Sequence, residues 1–314
     1  MTQTPLSIFS DASDAASRIT HLAWFMIVLS VIVFVAVVAI MAVAVMRGRR
    51  NAPTVDLSAR GNGWIVWGGA VIPGLILGVI FIVSLGAMSK FSTTVPAMTV
   101  HITGHQWWWQ VDYLDSTGAQ AFRTANELHL PVGKPVRVIL TSDDVIHSFW
   151  VPQLQGKLDL IPGDTNDLRL EAKRAGIFAG ACAEFCGAQH AHMMLSVVAE
   201  SDSAFAAWRA AQSATAIVSI DSTIATGRRL FVSTQCAQCH TVRGTTARAD
   251  SAPDLTHVGS RLTLAAGVLP NSLGSIEGWI ANPQALKPGA KMPTLRDYTG
   301  PELRALAAYV ESLK

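Results

Sequence analysis

The chain has 314 residues, a formal net charge of +2, half of its residues hydrophobic and only 15% charged. So small a charge, with no basic cluster beyond one short stretch, excludes nucleic-acid binding through an electropositive face. So apolar a composition excludes an ordinary soluble protein, and the length calls for several domains.

From the N-terminus, two 25-residue runs lack any charge, Leu22 to Met46 and Trp64 to Met88. As helices each extends roughly 37 Å, enough to cross a bilayer with some tilt, and Pro73 is expected to kink the second. Arg47, Arg49, Arg50 and Arg60 lie in or beside the connection at 47–63, whereas Asp11 and Asp14 precede the first run. The positive-inside rule therefore puts the connection in the cytoplasm and both termini outside. Residues 1–21 lack the basic, apolar and small-residue order of a cleaved signal. They read as a loose external segment before an anchor.

Between about 95 and 200 the texture changes to short alternating stretches. Val136, Val138 and Leu140 alternate with Arg137, Ile139 and Thr141, and Leu168 and Leu170 with Arg169 and Glu171. The turns Pro131-Val132-Gly133 and Ile161-Pro162-Gly163-Asp164 complete the signal for an antiparallel all-β domain. Near its end, Cys182, Glu184, Cys186, His190, His192, Met193 and Met194 crowd into 13 positions. Soft sulfur with imidazole suits copper or zinc, and a thioether favours copper. His147, just past an apolar strand, is the donor that a second loop would bring; a structural disulfide with incidental histidines is the alternative.

Residues 201–220 read as a short helix and linker, and 221–314 as a helical domain. Cys236-Ala237-Gln238-Cys239-His240 is the C-x-x-C-H pattern that attaches a c-type haem through two thioethers, with His240 ligating the iron. Beyond His240 the chain has one methionine, Met292, and one histidine, His257. By elimination, Met292 is the expected second axial ligand, and His257 the alternative. Thr299 to Glu302 is a capping-box pattern opening a last helix whose apolar face is Leu303, Leu306, Ala307 and Val310.

The set His147, Cys182, Glu184, Cys186, His190 and Met193 resembles the binuclear Cu-A centre of subunit II of haem-copper cytochrome c oxidases, and the resemblance covers most of residues 20–200. The resemblance implies a two-helix transmembrane hairpin, an all-β cupredoxin-like barrel and, with 221–314 similar to an all-α class I cytochrome c, a multidomain membrane protein of the caa3 type. It further implies that both cysteines bridge two coppers, that each histidine serves one, and that Met193 and the Glu184 carbonyl are axial. Met193 is favoured over Met194 by the family spacing. The Glu184 side chain would offer a ligand to magnesium at the interface with the catalytic subunit. Trp107, in Gly104-His105-Gln106-Trp107-Trp108-Trp109, would admit electrons; Trp108 and Trp109 read equally well as core or interfacial aromatics. Partners implied are the catalytic subunit I and subunit III, with an external cytochrome c or other donor, in the bacterial inner membrane. The work implied is electron delivery for oxygen reduction coupled to proton pumping. A Cu-A subunit of a nitric oxide reductase and a stand-alone membrane-anchored carrier are the alternatives. The chain departs from many such subunits in having no acidic residue between Asp56 and Asp112, so proton uptake at the start of the second span is not expected.

Overall fold

The computed structural model describes residues 3–50, 61–88, 95–216, 221–295 and 297–314. Two compact units result, one of residues 15–93 and the other of 1–14 with 94–314. Most of the 47–63 connection, including Arg60, and the end of the linker at 217–220 lie outside the described residues.

Strand β1 (Gln3–Thr4) precedes helix α1 (Asp14–Arg50), which starts earlier and runs longer than the apolar run alone predicts. The second apolar run forms α2 (Gly61–Val66), a π-turn at Trp67–Val71, and α3 (Ile72–Met88). Pro73 has no N–H and its ring crowds the preceding turn. The extra residue of the π-turn, ending just before it, is where the helix takes up that misfit. Both helices are long and apolar enough to cross a membrane, and side chains such as Phe34, Ile40, Leu75 and Ile82 are exposed along them.

The β domain is built from β2 (Met98–His105), β3 (Trp108–Leu114), β4 (Gln120–Ala125), β5 (Glu127–Pro131), β6 (Val136–Ser142), β7 (His147–Trp150), β8 (Leu158–Leu160), β9 (Asn166–Leu170), β10 (Gly176–Cys182) and β11 (Met194–Glu200). One sheet runs β4-β3-β2-β6-β9 and the other β5-β11-β10-β7-β8, a cupredoxin-like pair of layers that is mixed and not purely antiparallel, because β2 with β6 and β5 with β11 run parallel. The alternation sorts as expected: Val136, Val138, Leu140, Leu168 and Leu170 are buried while Arg137 is exposed. Trp109, fully buried, packs edge-on to Phe149 at 6.1 Å in the core between the layers. Trp108 instead stacks on His105 at 4.4 Å.

The first residues are not loose. β1 pairs in parallel with β10 at Ile177 and Phe178, Ala12 N–H donates to the Gln153 carbonyl and Lys173 N–H to the Ala12 carbonyl. A segment without apolar periodicity is held here by backbone pairing with the stretch of β10 that β7 leaves uncovered, which no side-chain pattern announces.

Helix α4 (Asp202–Ser213), capped by the Ser201 hydroxyl on the Ala204 amide, lays Trp208 on the His129 ring at 3.9 Å. After it come α5 (Ser222–Ser233), the short hairpin β12 (Thr263–Leu264) and β13 (Leu269–Pro270), then α6 (Leu273–Ala281), α7 (Pro283–Leu286) and α8 (Gly300–Ser312). Glu302 accepts from both the amide and hydroxyl of Thr299, fixing the start of α8. α5 and α8 cross at Gly227, whose missing side chain allows the contact: a Cβ there would lie 1.9 Å from the Ala305 carbonyl oxygen. Phe231 and Tyr309, rings 5.6 Å apart, close the crossing.

Candidate metal and haem centres

Two loops of the β domain bring the sulfur and imidazole donors together. β10 ends at Cys182, and the turn that follows carries Glu184, Cys186 and His190 to a short helical turn (His190–His192) before Met193. The Cys182 and Cys186 sulfurs lie 3.7 Å apart, each reduced. His147 Nδ1 is 3.8 Å from Cys182 Sγ, and His190 Nδ1 is 3.6 Å from Cys186 Sγ. Met193 Sδ stands 3.9 Å from Cys186 Sγ, and the Glu184 carbonyl oxygen 3.2 Å from Cys182 Sγ. Met194 follows on β11 and packs against Gly267 of the haem domain, so of the two methionines it is Met193 whose sulfur approaches the thiols.

The two thiols titrate as a pair. The hydrogen bond between them, against the opposing effect of burial, holds the Cys182 thiol well below the ordinary range, while the same contact and burial push Cys186 up. Such a pair is primed to lose its last proton to a thiophilic cation. His147 is fully buried and its Nε2 bonds Asp144 Oδ1 at 2.9 Å, leaving Nδ1 toward the sulfur. Gly104 makes room for that ring, since a Cβ there would meet His147 Cδ2 at 2.7 Å. Asp144 is in turn held by the Gln106 amide at 2.7 Å. The Asp144-to-His147 spacing was visible in the sequence; the partnership was not. Histidines 101, 105, 129 and 192 stay outside the cluster. His101 bonds Thr141, His105 faces Asp143, His129 lies between Glu127 and Glu200, and His192 bonds Gln189. The Glu184 carboxylate is half-exposed, 3.9 Å from Lys157 Nζ.

Trp107 packs against the loop at Cys186 and Gly187. Its Nε1 donates to the Cys186 carbonyl at 2.9 Å, and Gln106 Nε2 donates to the same oxygen at 2.7 Å.

In the haem domain Cys236 lies within a short helical turn (Gln235–Gln238) and Cys239 directly follows it; neither is in a disulfide, and Cys239 is exposed. His240 Nδ1 bonds the Pro253 carbonyl at 2.8 Å, which leaves Nε2 as the free nitrogen. Burial lowers its pKa and keeps the ring neutral, the form that ligates iron. Met292 is half-buried against the domain core and its carbonyl is pinned by Gln284 Nε2 at 2.9 Å. His257 turns elsewhere: its Nε2 bonds the Ala214 carbonyl of the linker at 3.0 Å.

Residues 114–201 match the family described as cytochrome c oxidase subunit II, periplasmic domain, and residues 224–314 match cytochrome c. The chain is 34% identical over 299 residues to cytochrome c oxidase subunit 2 of Alkalihalophilus pseudofirmus, covering 92% of this chain and 85% of the relative. It is 30% identical over 288 residues to the protein of the same name in Bacillus subtilis, covering 85% and 80%. Among solved structures, the periplasmic domain of subunit II of cytochrome oxidase of Bradyrhizobium japonicum overlays at 32% identity and a TM-score of 0.36, covering 38% of this chain and 96% of that one.

Proposed function

The chain belongs to the cytochrome c oxidase subunit II family, with a cytochrome c domain at its C-terminal end, and on that footing we propose that it conducts electrons through a covalent haem c and then a Cu-A centre. The observation that carries the copper reading is the convergence of two thiol sulfurs 3.7 Å apart with two imidazoles, a thioether and a carbonyl oxygen. That donor set is soft, and its His147, Cys182, Cys186 and Met193 members are buried, as suits copper at sulfur. Cys182 and Cys186 would bridge, His147 and His190 would each serve one metal, and Met193 and the Glu184 carbonyl would complete the sphere. Cys236 and Cys239 would hold the haem, with His240 and Met292 on its iron.

When bound, the two groups supply reversible one-electron chemistry and the protein tunes it through ligand identity, hydrogen bonds and burial. The chain's own work is positional. Asp144 fixes the His147 tautomer, the Pro253 carbonyl fixes that of His240, and Trp107 bridges from the cytochrome c domain to the carbonyl of a copper-ligating cysteine. Electrons would arrive from an external cytochrome c or another donor and leave for the catalytic subunit I, beside subunit III, where oxygen is reduced to water with proton pumping. The two spanning helices would anchor this in the bacterial inner membrane with both redox domains outside. Glu184 is the residue offered to magnesium at the subunit interface.

Exchanging Cys182 or Cys186 for Ser in the full chain tests the copper reading. The binuclear copper signal in electron paramagnetic resonance should vanish while haem remains covalently attached. An unchanged copper signal would sink it.

A further inference from the structure

Lys287 follows α7 in the cytochrome c domain and is 3% exposed. Among the described residues no carboxylate lies within ion-pair distance of it. Its Nζ donates instead to three main-chain carbonyls, Trp107 at 2.8 Å, His192 at 2.7 Å and Ala265 at 2.9 Å. An ammonium has three protons, so its donor capacity is filled. Two of the acceptors belong to the β domain: one is on the tryptophan packed against the loop at Cys186, the other in the loop between His190 and Met193. A buried cation is costly unless its lost water is replaced, and these three dipoles replace it only while the two domains are together.

The surroundings are built to the same end. Gln189 Nε2 donates to the Pro288 carbonyl at 2.8 Å, and the Met194 amide to the Ala266 carbonyl at 3.0 Å. The tip of the β12-β13 hairpin takes φ of 53° at Ala265, 59° at Ala266 and 86° at Gly267. Alanine enters that left-handed region at a cost. Here the tip aims two successive carbonyls, one at Lys287 and one at Met194. Gly289 closes over the indole, since a Cβ on it would lie 3.5 Å from Trp107 Cη2 and Cζ3.

We propose that Lys287 is a positioning residue that latches the haem domain over Trp107 and the Cys182–Met193 loop, so that a soluble donor must reduce the haem and has no direct route to Trp107. The electron-transfer consequence rests on the haem and Cu-A reading above; the latch itself does not.

The test uses the full-length protein in detergent, unaltered and as Lys287→Met, with Lys287→Arg as the charge-retaining variant. Hydrogen exchange should rise about tenfold or more in segments 104–110, 187–194 and 263–268 of Lys287→Met, as expected for losing hydrogen bonds to a charged donor. Segments 222–233 and 300–312 should stay as protected as before. Haem-to-copper electron transfer should slow in the same variant, direct copper reduction by added soluble cytochrome c should appear, and Lys287→Arg should restore part of both. Unchanged exchange in the three segments overturns the latch. So does equal loss of protection in 222–233 and 300–312, which would make Lys287 a packing element of its own domain. If Lys287→Met does not accumulate, Lys287→Gln is read by the same criteria. Absence of a copper signal in the unaltered protein refutes the Cu-A reading alone, because the exchange comparison needs no copper.

Discussion

Gly227→Ala should unfold the haem domain at markedly lower denaturant. A Cβ at Gly227 would stand 1.9 Å from the Ala305 oxygen and 2.6 Å from its carbon, with Tyr309 Cβ at 2.8 Å. Carbon and carbonyl oxygen settle no closer than about 3.3 Å, so α5 and α8 would have to part by roughly 1.4 Å. The obstacle is backbone, which no rotamer change relieves. Overpacking of this kind costs about 1–3 kcal/mol and here belongs at the upper end. Alanine's better helix propensity returns about 1 kcal/mol, leaving a net loss of roughly 2 kcal/mol. Guanidinium unfolding of the full chain, followed by haem absorbance, should show a lower midpoint with an unchanged slope. Gly274→Ala in α6 meets nothing within 4 Å and is the matched control, neutral or slightly stabilising. Equal midpoints for Gly227→Ala and the unaltered protein would refute the claim that the helix crossing depends on that missing side chain.

Met292→Ala should abolish the iron-sulfur absorption band and lower the haem potential, whereas His257→Ala should leave both in place; the reverse result would move the axial ligand to His257. Asp144→Asn keeps the shape but not the charge behind His147, and copper affinity, measured by competition with a chelator, should fall about 10–100-fold. His129 is buried, which opposes its charge, yet the carboxylates of Glu127 and Glu200 raise its pKa above 6.5. A raised folded-state value means that its stabilising contribution is full below about pH 6.5 and fades as pH climbs through that value. Thermal midpoints should therefore decline on the alkaline side of 6.5 more steeply for the unaltered chain than for His129→Gln; parallel curves would remove His129 from the account.

Much of the architecture was legible because it follows from periodicity and from covalent chemistry. A period of two marked Val136 to Leu140 as a half-buried strand, and Cys236 to His240 carries the C-x-x-C-H spacing on which the c-type haem proposal rests. The donors His147, Cys182, Cys186, His190 and Met193 are close enough in sequence, or in such a characteristic order, that their convergence could be expected. Asp144 was in view but silent, since an acidic residue three places before a histidine is commonplace and in most loops simply faces water. Lys287 was illegible. Nothing in a one-dimensional string distinguishes a lysine satisfied by three carbonyls of two domains from one waving in water. The docking of residues 3–14 was missed for a related reason, because main-chain pairing leaves no residue-type signature.

That early pairing bears on how the extramembrane part can be isolated. A soluble fragment starting after the second span would lack Gln3 and Thr4, and with them the neighbour of Ile177 and Phe178 on β10. The bared edge belongs to the strand that ends in Cys182, and an unpaired strand edge invites another chain to add itself there. Self-association of such a fragment would then be a product of the cut. Restoring the first thirteen residues, joined by a flexible linker in place of the membrane helices, is the direct remedy.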